Sequence, residues 1–210
     1  MEIIIKYRSL LSLAAVAALL FSVPQTALAT PDIGKPAPAF TGTDSRGKTV
    51  SLNDFRGKIV VLEATNHDCP YVGKHYSAGN MQALQRGSAG DGIVWLQIIS
   101  STPGLEGYVN GREAEALNAG RKAAPAGILL DPKGNISRQY AARHTPTMAV
   151  SDAAGALAYY VAIDSNSNGH PDSIKGVKNH VRAALAELKV GRVVSVAKTR
   201  TYGCSVKYVN

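Results

Sequence analysis

The sequence predicts an α/β domain: a central mixed β-sheet flanked by helices, with an N-terminal β-hairpin and an extended C-terminal tail. Three observations carry this reading. The runs Ile59 to Leu62 and Ile93 to Ile99 are nearly continuous in apolar, β-rich residues, as expected of strands covered on both faces. A helical stretch lies between them, which gives the order strand, helix, strand. Near the end of the chain, Thr147 to Ser151 and Ala156 to Ile163 read as two strands joined by the turn Asp152-Ala153-Ala154-Gly155, an antiparallel pair followed by a helix.

The elements follow in order. Lys6, Arg8, the apolar run Leu10 to Val23 and the small-x-small pattern Ala27-Leu28-Ala29 read as a secretory signal cleaved after Ala29, the apolar stretch being short for a membrane span. Residues 30–190 then form one domain and 191–210 a tail. Residues 30–36 are an extended lead-in. Ala39 to Leu52, with turn chemistry at Asp44-Ser45-Arg46-Gly47-Lys48, is a β-hairpin. Strand 58–65 comes next, then a helix from Cys69 that weakens at Gly79-Asn80, with a second piece to Arg86. Strand 92–100, a helix over 112–122, a short strand 127–131 and a short helix 136–143 lead to the strand pair. From Ser173 a helix is expected, because Ile174, Val177, Val181, Ala184, Leu185 and Leu188 recur on one face.

The formal charge is +8, and removing two positive residues (Lys6, Arg8) and one negative (Glu2) with the leader leaves +7. The basic residues are scattered, without the dense run that tracks phosphates, so nucleic-acid binding is not expected. The chain has two cysteines, Cys69 and Cys204. In an exported chain paired thiols persist as a disulfide, and two thiols so far apart do not suggest a metal cluster.

Cys69 carries the strongest chemical signal. Strand 58–65 breaks into Asn66-His67-Asp68 and then Cys69-Pro70, and Pro is favoured at the first helical position, where its missing N–H has no partner to lose. Cys69 therefore falls at a helix start, where free N–H groups and the positive end of the helix dipole favour the thiolate, the form that attacks disulfides and peroxides.

The stretch Glu63 to Tyr76, the loop Thr145-Pro146-Thr147 and the ending Tyr202-Gly203-Cys204-Ser205-Val206-Lys207-Tyr208 together resemble the peroxiredoxin-like branch of the redoxin family, related to the alkyl hydroperoxide reductases and thiol-specific antioxidants, within the thioredoxin-fold superfamily. The resemblance implies an oxidoreductase with Cys69 as nucleophile and Cys204 as resolving thiol, joined as a disulfide. It implies that Glu63, six positions before the thiol, is a buried carboxyl assisting proton transfer. It implies a cis bond between Thr145 and Pro146, with Thr145, Pro146, Pro70 and Tyr71 meeting the substrate. His67 either supports the thiolate as a cation or is a solvated loop residue. Lys74 and His75, one turn on, are expected to face water.

Departures from the pattern leave the substrate open. Leu62 and Asn66 stand where typical peroxiredoxins carry a Pro and a Thr or Ser, Pro146 stands near the usual arginine with Arg143 close by, and Val72 stands where a thioredoxin has its second cysteine. The implied partners are a peroxide or protein-disulfide substrate and a reducing partner protein, with a periplasmic or secreted location, no membrane insertion after cleavage, no cofactor and no metal. The run Asp164 to Asp172 matches the first nine positions of a calcium loop, but Lys175 stands where a bidentate Glu is needed, so a polar loop is expected. The alternative function is a thioredoxin-fold binding module in which a Cys69–Cys204 disulfide is only structural.

Overall fold

The computed structural model describes residues 30–208; the expected leader, residues 1–29, lies outside them. The hairpin forms from β1 (Thr41–Asp44) and β2 (Thr49–Ser51). The chain continues through β3 (Val60–Ala64), α1 (Pro70–Ser77), α2 (Asn80–Gly90), β4 (Val94–Ile99), α3 (Gly111–Gly120), β5 (Gly127–Leu130) and α4 (Asn135–Gln139). It closes with β6 (His144–Thr145), β7 (Thr147–Ser151), β8 (Leu157–Val161), α5 (His180–Lys189) and β9 (Cys204–Ser205). Among the described residues, no helix is long and apolar enough to cross a membrane.

Seven strands form one mixed sheet in the order β2-β1-β5-β4-β3-β7-β8. The strands β3, β4 and β5 run parallel, while β7 pairs antiparallel with β3 and β8 antiparallel with β7. All residues of β3 and β4 are buried, as their apolar runs require of strands covered on both faces. Alternation divides them: Val61, Trp95 and Met148 pack with Val72, Leu84 and Leu185 of the α1, α2 and α5 layer, whereas Val60, Leu62, Leu96 and Ala149 pack with Ile136 of α4. Each large apolar side chain buried in this way stabilises the fold by about 2 kcal/mol.

Three expectations are corrected. The break expected at Gly79-Asn80 is complete, Gly79 taking a left-handed conformation (φ 71°) between two helices, but the second runs past Arg86 to Gly90. The short helix expected to reach Arg143 stops at Gln139, with Ala141 at φ 47°. The last helix begins at His180 instead of Ser173. Pro171–Ile174 is a single 3₁₀ turn, Gly176 reverses the chain at φ 71°, and the Asn179 side chain caps α5 by accepting from the Arg182 N–H at 2.8 Å. Ile174 and Val177 keep helical spacing by coincidence.

One pairing had no signal in the sequence. The short strand β9 in the tail lies antiparallel to β6, with His144 opposite Ser205 and Thr145 opposite Cys204. This pairing carries the tail back across the molecule to the start of α1.

Candidate active site

Strand β3 delivers the loop 65–68 to the start of α1. Asn66 shapes that loop: its side-chain oxygen accepts from the Asp68 N–H at 2.9 Å and its carbonyl from the Cys69 N–H at 3.2 Å. Gly107 packs on it, with its N–H donating to the Asp68 carboxylate at 3.0 Å; a Cβ at Gly107 would fall 2.2 Å from the Asn66 side-chain oxygen. Cys69 is the N-cap of α1, with extended backbone, and Pro70 is the first helical residue. The Cys69 carbonyl accepts from the N–H groups of Val72 and Gly73. The thiol thus sits at the positive end of α1, where negative charge on sulfur is favoured.

Facing Cys69 is the loop between α4 and β7. The Thr145–Pro146 bond is cis, and the Thr145 carbonyl oxygen lies 3.1 Å from the Cys69 sulfur. Cys204, opposite Thr145 on β9, is joined to Cys69 as a disulfide with the Cα atoms 5.9 Å apart. Cys69 is 1% exposed, whereas Cys204 is only half-buried. Further bonds dock the tail beyond it: the Val206 N–H donates to the Arg143 carbonyl at 3.0 Å, the Tyr208 hydroxyl donates to the Ala142 carbonyl at 2.6 Å, and the Arg138 guanidinium covers the Tyr208 ring.

The remaining expected site residues separate. Glu63 is fully buried, accepting from the Tyr76 hydroxyl (2.8 Å), the Trp95 indole (2.8 Å) and the Gln85 amide (3.2 Å). The network runs on from Tyr76 through Gln97 and Asn118 to Arg121, whose guanidinium stacks on the Tyr76 ring. Burial beside Glu63 pushes the Tyr76 hydroxyl well above its ordinary value. The hydrogen bonds of Glu63 go to these side chains and not to Cys69. His67 lies 3.3 Å from Asp68, its own neighbour, and is part-exposed. Pro70 is exposed, and Tyr71 packs against Tyr202 with ring centres 5.8 Å apart.

Lys74 and His75 do not face water; both are buried beneath the loop that follows β8. The Lys74 ammonium reaches the Asp164 carboxylate at 3.4 Å and the Asn166 carbonyl at 2.6 Å. The loop side chains are taken up by the loop's own backbone: Asp164 accepts from the Asn166 N–H, Asn166 from the Asn168 N–H, and Asn168 from the His170 N–H. Among the described residues, no group of three or more His, Cys, Asp or Glu is placed to hold a metal ion. Burial lowers the Lys74 ammonium and drives the His75 imidazole down to about 4, the latter despite the nearby Asp164. The neutral His75 ring accepts at Nδ1 from the Asn80 amide (2.9 Å), which leaves the proton on Nε2, 3.3 Å from the Tyr202 oxygen. Tyr202 in turn donates to Asp164 at 2.6 Å, and burial together with that carboxylate raises its hydroxyl far above the ordinary value. A lysine and a histidine in one helical turn look like an exposed face, so only the distant Asp164 and Tyr202 reveal why they are inside.

Comparison with known proteins agrees with this geometry. The chain matches the AhpC/TSA family over residues 33–166 and belongs to it. With its family and its cysteine pair, it is a thiol-dependent oxidoreductase of thioredoxin-like fold. Among solved structures it is similar to a hypothetical protein of Sinorhizobium meliloti 1021 (TM-score 0.74, 21% identity, covering 86% of this chain and 97% of that one). An uncharacterized conserved protein of Geobacillus kaustophilus is similar too (0.73, 23%, 85% and 93%). A thiol:disulfide interchange protein from Bacteroides sp. shares the fold at TM-score 0.50 and 20% identity, covering 68% and 86%. No curated protein matches.

Proposed function

We propose that this protein is an exported thiol–disulfide oxidoreductase in which Cys69 is the attacking thiolate and Cys204 the resolving thiol. The observation that carries the reading is the Cys69–Cys204 disulfide at the start of α1, with Thr145 pairing against the strand that brings Cys204. In the reduced protein, the Cys69 thiolate attacks one sulfur of a substrate disulfide and releases the other as a thiolate. Cys204 then attacks the Cys69 sulfur, loses its proton, expels the second substrate thiolate and closes the Cys69–Cys204 bond. Two electrons pass to the substrate, and a reducing partner restores the two thiols. Thr145, Pro146, Pro70 and Tyr71 would frame the approaching strand. Glu63, bonded to Tyr76, Gln85 and Trp95, would serve chiefly to order the α1 side of the sheet. Export rests on the basic, apolar and small-residue pattern of residues 1–29.

A peroxide substrate is the second reading. In its favour, Thr65, Ser100, Ser101, Ser137 and Thr145 gather with Val206 around one narrow recess, although it is too tight to admit a water molecule. The Thr65 and Thr145 hydroxyls in it are buried without hydrogen-bond partners among the described residues. Against it, Leu62, Asn66 and Pro146 replace the residues that typical peroxiredoxins use to activate peroxide. Stopped-flow oxidation of the reduced protein by hydrogen peroxide, beside oxidation by a disulfide-bonded protein, decides. The proposal expects rapid exchange with the protein disulfide and a peroxide reaction no faster than that of an ordinary thiol; the reverse order would overturn it. The mass of the exported material should place its N-terminus at Thr30.

A further inference from the structure

The tail that carries Cys204 is tied to the α1 helix by a buried polar cluster that thiol chemistry alone does not use. Tyr202 stands two residues before Cys204. Its hydroxyl donates to Asp164 at 2.6 Å, its ring packs against Tyr71, and the Lys74 ammonium lies 4.9 Å from the ring centre. Asp164 is 3% exposed, and Lys74 and His75 are 1% and 0% exposed, so this contact is shielded from water. The cluster joins three separate parts of the chain: α1 immediately after Cys69, the loop after β8, and the tail. We propose that Asp164, held in place by Lys74, is a positioning residue for Cys204: it receives the Tyr202 hydroxyl and keeps the tail thiol within reach of Cys69 after the disulfide is reduced.

The inference rests on Cys204 as the resolving thiol and goes beyond it. Closing the bond requires the two Cα atoms within about 7 Å, and a tail freed by reduction would disperse Cys204 over a much larger volume. A hydrogen bond to a buried carboxylate is among the stronger single contacts available to hold it. Alongside the β6–β9 pairing and the Val206 and Tyr208 contacts, Tyr202 and Asp164, two residues that touch neither sulfur, then raise the effective concentration of Cys204 at Cys69.

Equilibration with glutathione reads that concentration directly. One glutathione disulfide and the two protein thiols give the Cys69–Cys204 disulfide and two glutathione thiols, so the equilibrium constant scales with the proximity of the thiols. Losing a hydrogen bond to a charged group should make Tyr202→Phe roughly tenfold easier to reduce than the natural protein. Asp164→Asn should weaken the bond similarly, and the double variant should be no worse than the poorer single one, as a shared contact requires and a general loosening does not. An unchanged constant in Tyr202→Phe, or fully additive effects, would overturn the proposal. Should Asp164→Asn not fold, slow exchange of the Tyr202 hydroxyl proton in the reduced natural protein, seen by NMR, is the expected result and rapid exchange the refuting one. If the natural protein itself forms no intramolecular disulfide with glutathione, the pairing reading fails, an outcome distinct from an unchanged constant.

Discussion

Replacing Gly203 by alanine should disturb the docking of Cys204 and weaken the Cys69–Cys204 bond. Gly203 has φ 135°, a conformation that L side chains rarely adopt, and a Cβ there would fall 2.1 Å from the Thr145 carbonyl oxygen and 2.8 Å from its carbonyl carbon. The obstruction is backbone, fixed by the pairing of β6 with β9, so neither partner can swing aside. The tail must lift instead, withdrawing Cys204 from a position that a disulfide tolerates only within narrow limits. Strain of this kind costs on the order of 1–3 kcal/mol before the overlap is counted, so the disulfide should be at least tenfold easier to reduce. Gly191→Ala supplies the control: Gly191 also has positive φ (70°), but a Cβ there meets nothing within 4 Å. Titration of the two thiols against glutathione should show a large loss for Gly203→Ala and little change for Gly191→Ala. Equal behaviour of Gly203→Ala and the natural protein would contradict the docking geometry.

The second large effect is on stability in acid. Burial holds His75 neutral, with its folded value near 4 against 6.5 for a free imidazole. Because the folded value is depressed, the unfolded chain binds the proton first as pH falls. The contribution is therefore fully present above about pH 6.5, lost progressively between 6.5 and about 4, and flat below that. A shift of this size corresponds to about 3 kcal/mol, a large part of the stability of a domain of this size. Urea unfolding of the oxidised protein at a series of pH values, compared with His75→Gln, isolates this histidine from the carboxylates that titrate in the same range. The difference between the two curves should fall by about 3 kcal/mol from pH 7 to pH 4. Parallel curves would show that His75 is not buried neutral.

Local chemistry was legible in the sequence wherever the signal was local. The polar break after Thr65, followed by Cys69-Pro70, marks a helix start, and the apolar runs of β3 and β4 mark covered strands. The disulfide and the cis Thr145–Pro146 bond were accessible through family likeness, because no spacing in the chain brings residues 69, 145 and 204 together. What escaped was held by long-range contacts. The strand β9 is two residues in an irregular tail, and its partner β6 is equally short, so neither has a periodicity to detect. Lys74 and His75 read as solvated because charged residues mostly are. Their burial depends on Asp164, some ninety residues away, which gives the ammonium a partner. The helix expected from Ser173 failed for the opposite reason: Ile174 and Val177 fit the pattern, but Gly176 and the Asn179 cap override it.

The central claim is the division of labour between the two thiols: Cys69 attacks and Cys204 resolves. The most direct test is to trap the first covalent product with each thiol removed in turn, using a disulfide-bonded protein substrate and mass spectrometry. Reduced Cys204→Ser should react once, as fast as the natural protein loses its first thiol, and stall as a mixed disulfide at Cys69 with one substrate thiol released. Reduced Cys69→Ser, left with a thiol at no helix start, should react no faster than glutathione does. A Cys69→Ser variant that captures substrate as quickly as Cys204→Ser, or a Cys204→Ser variant that captures none, would contradict the assignment.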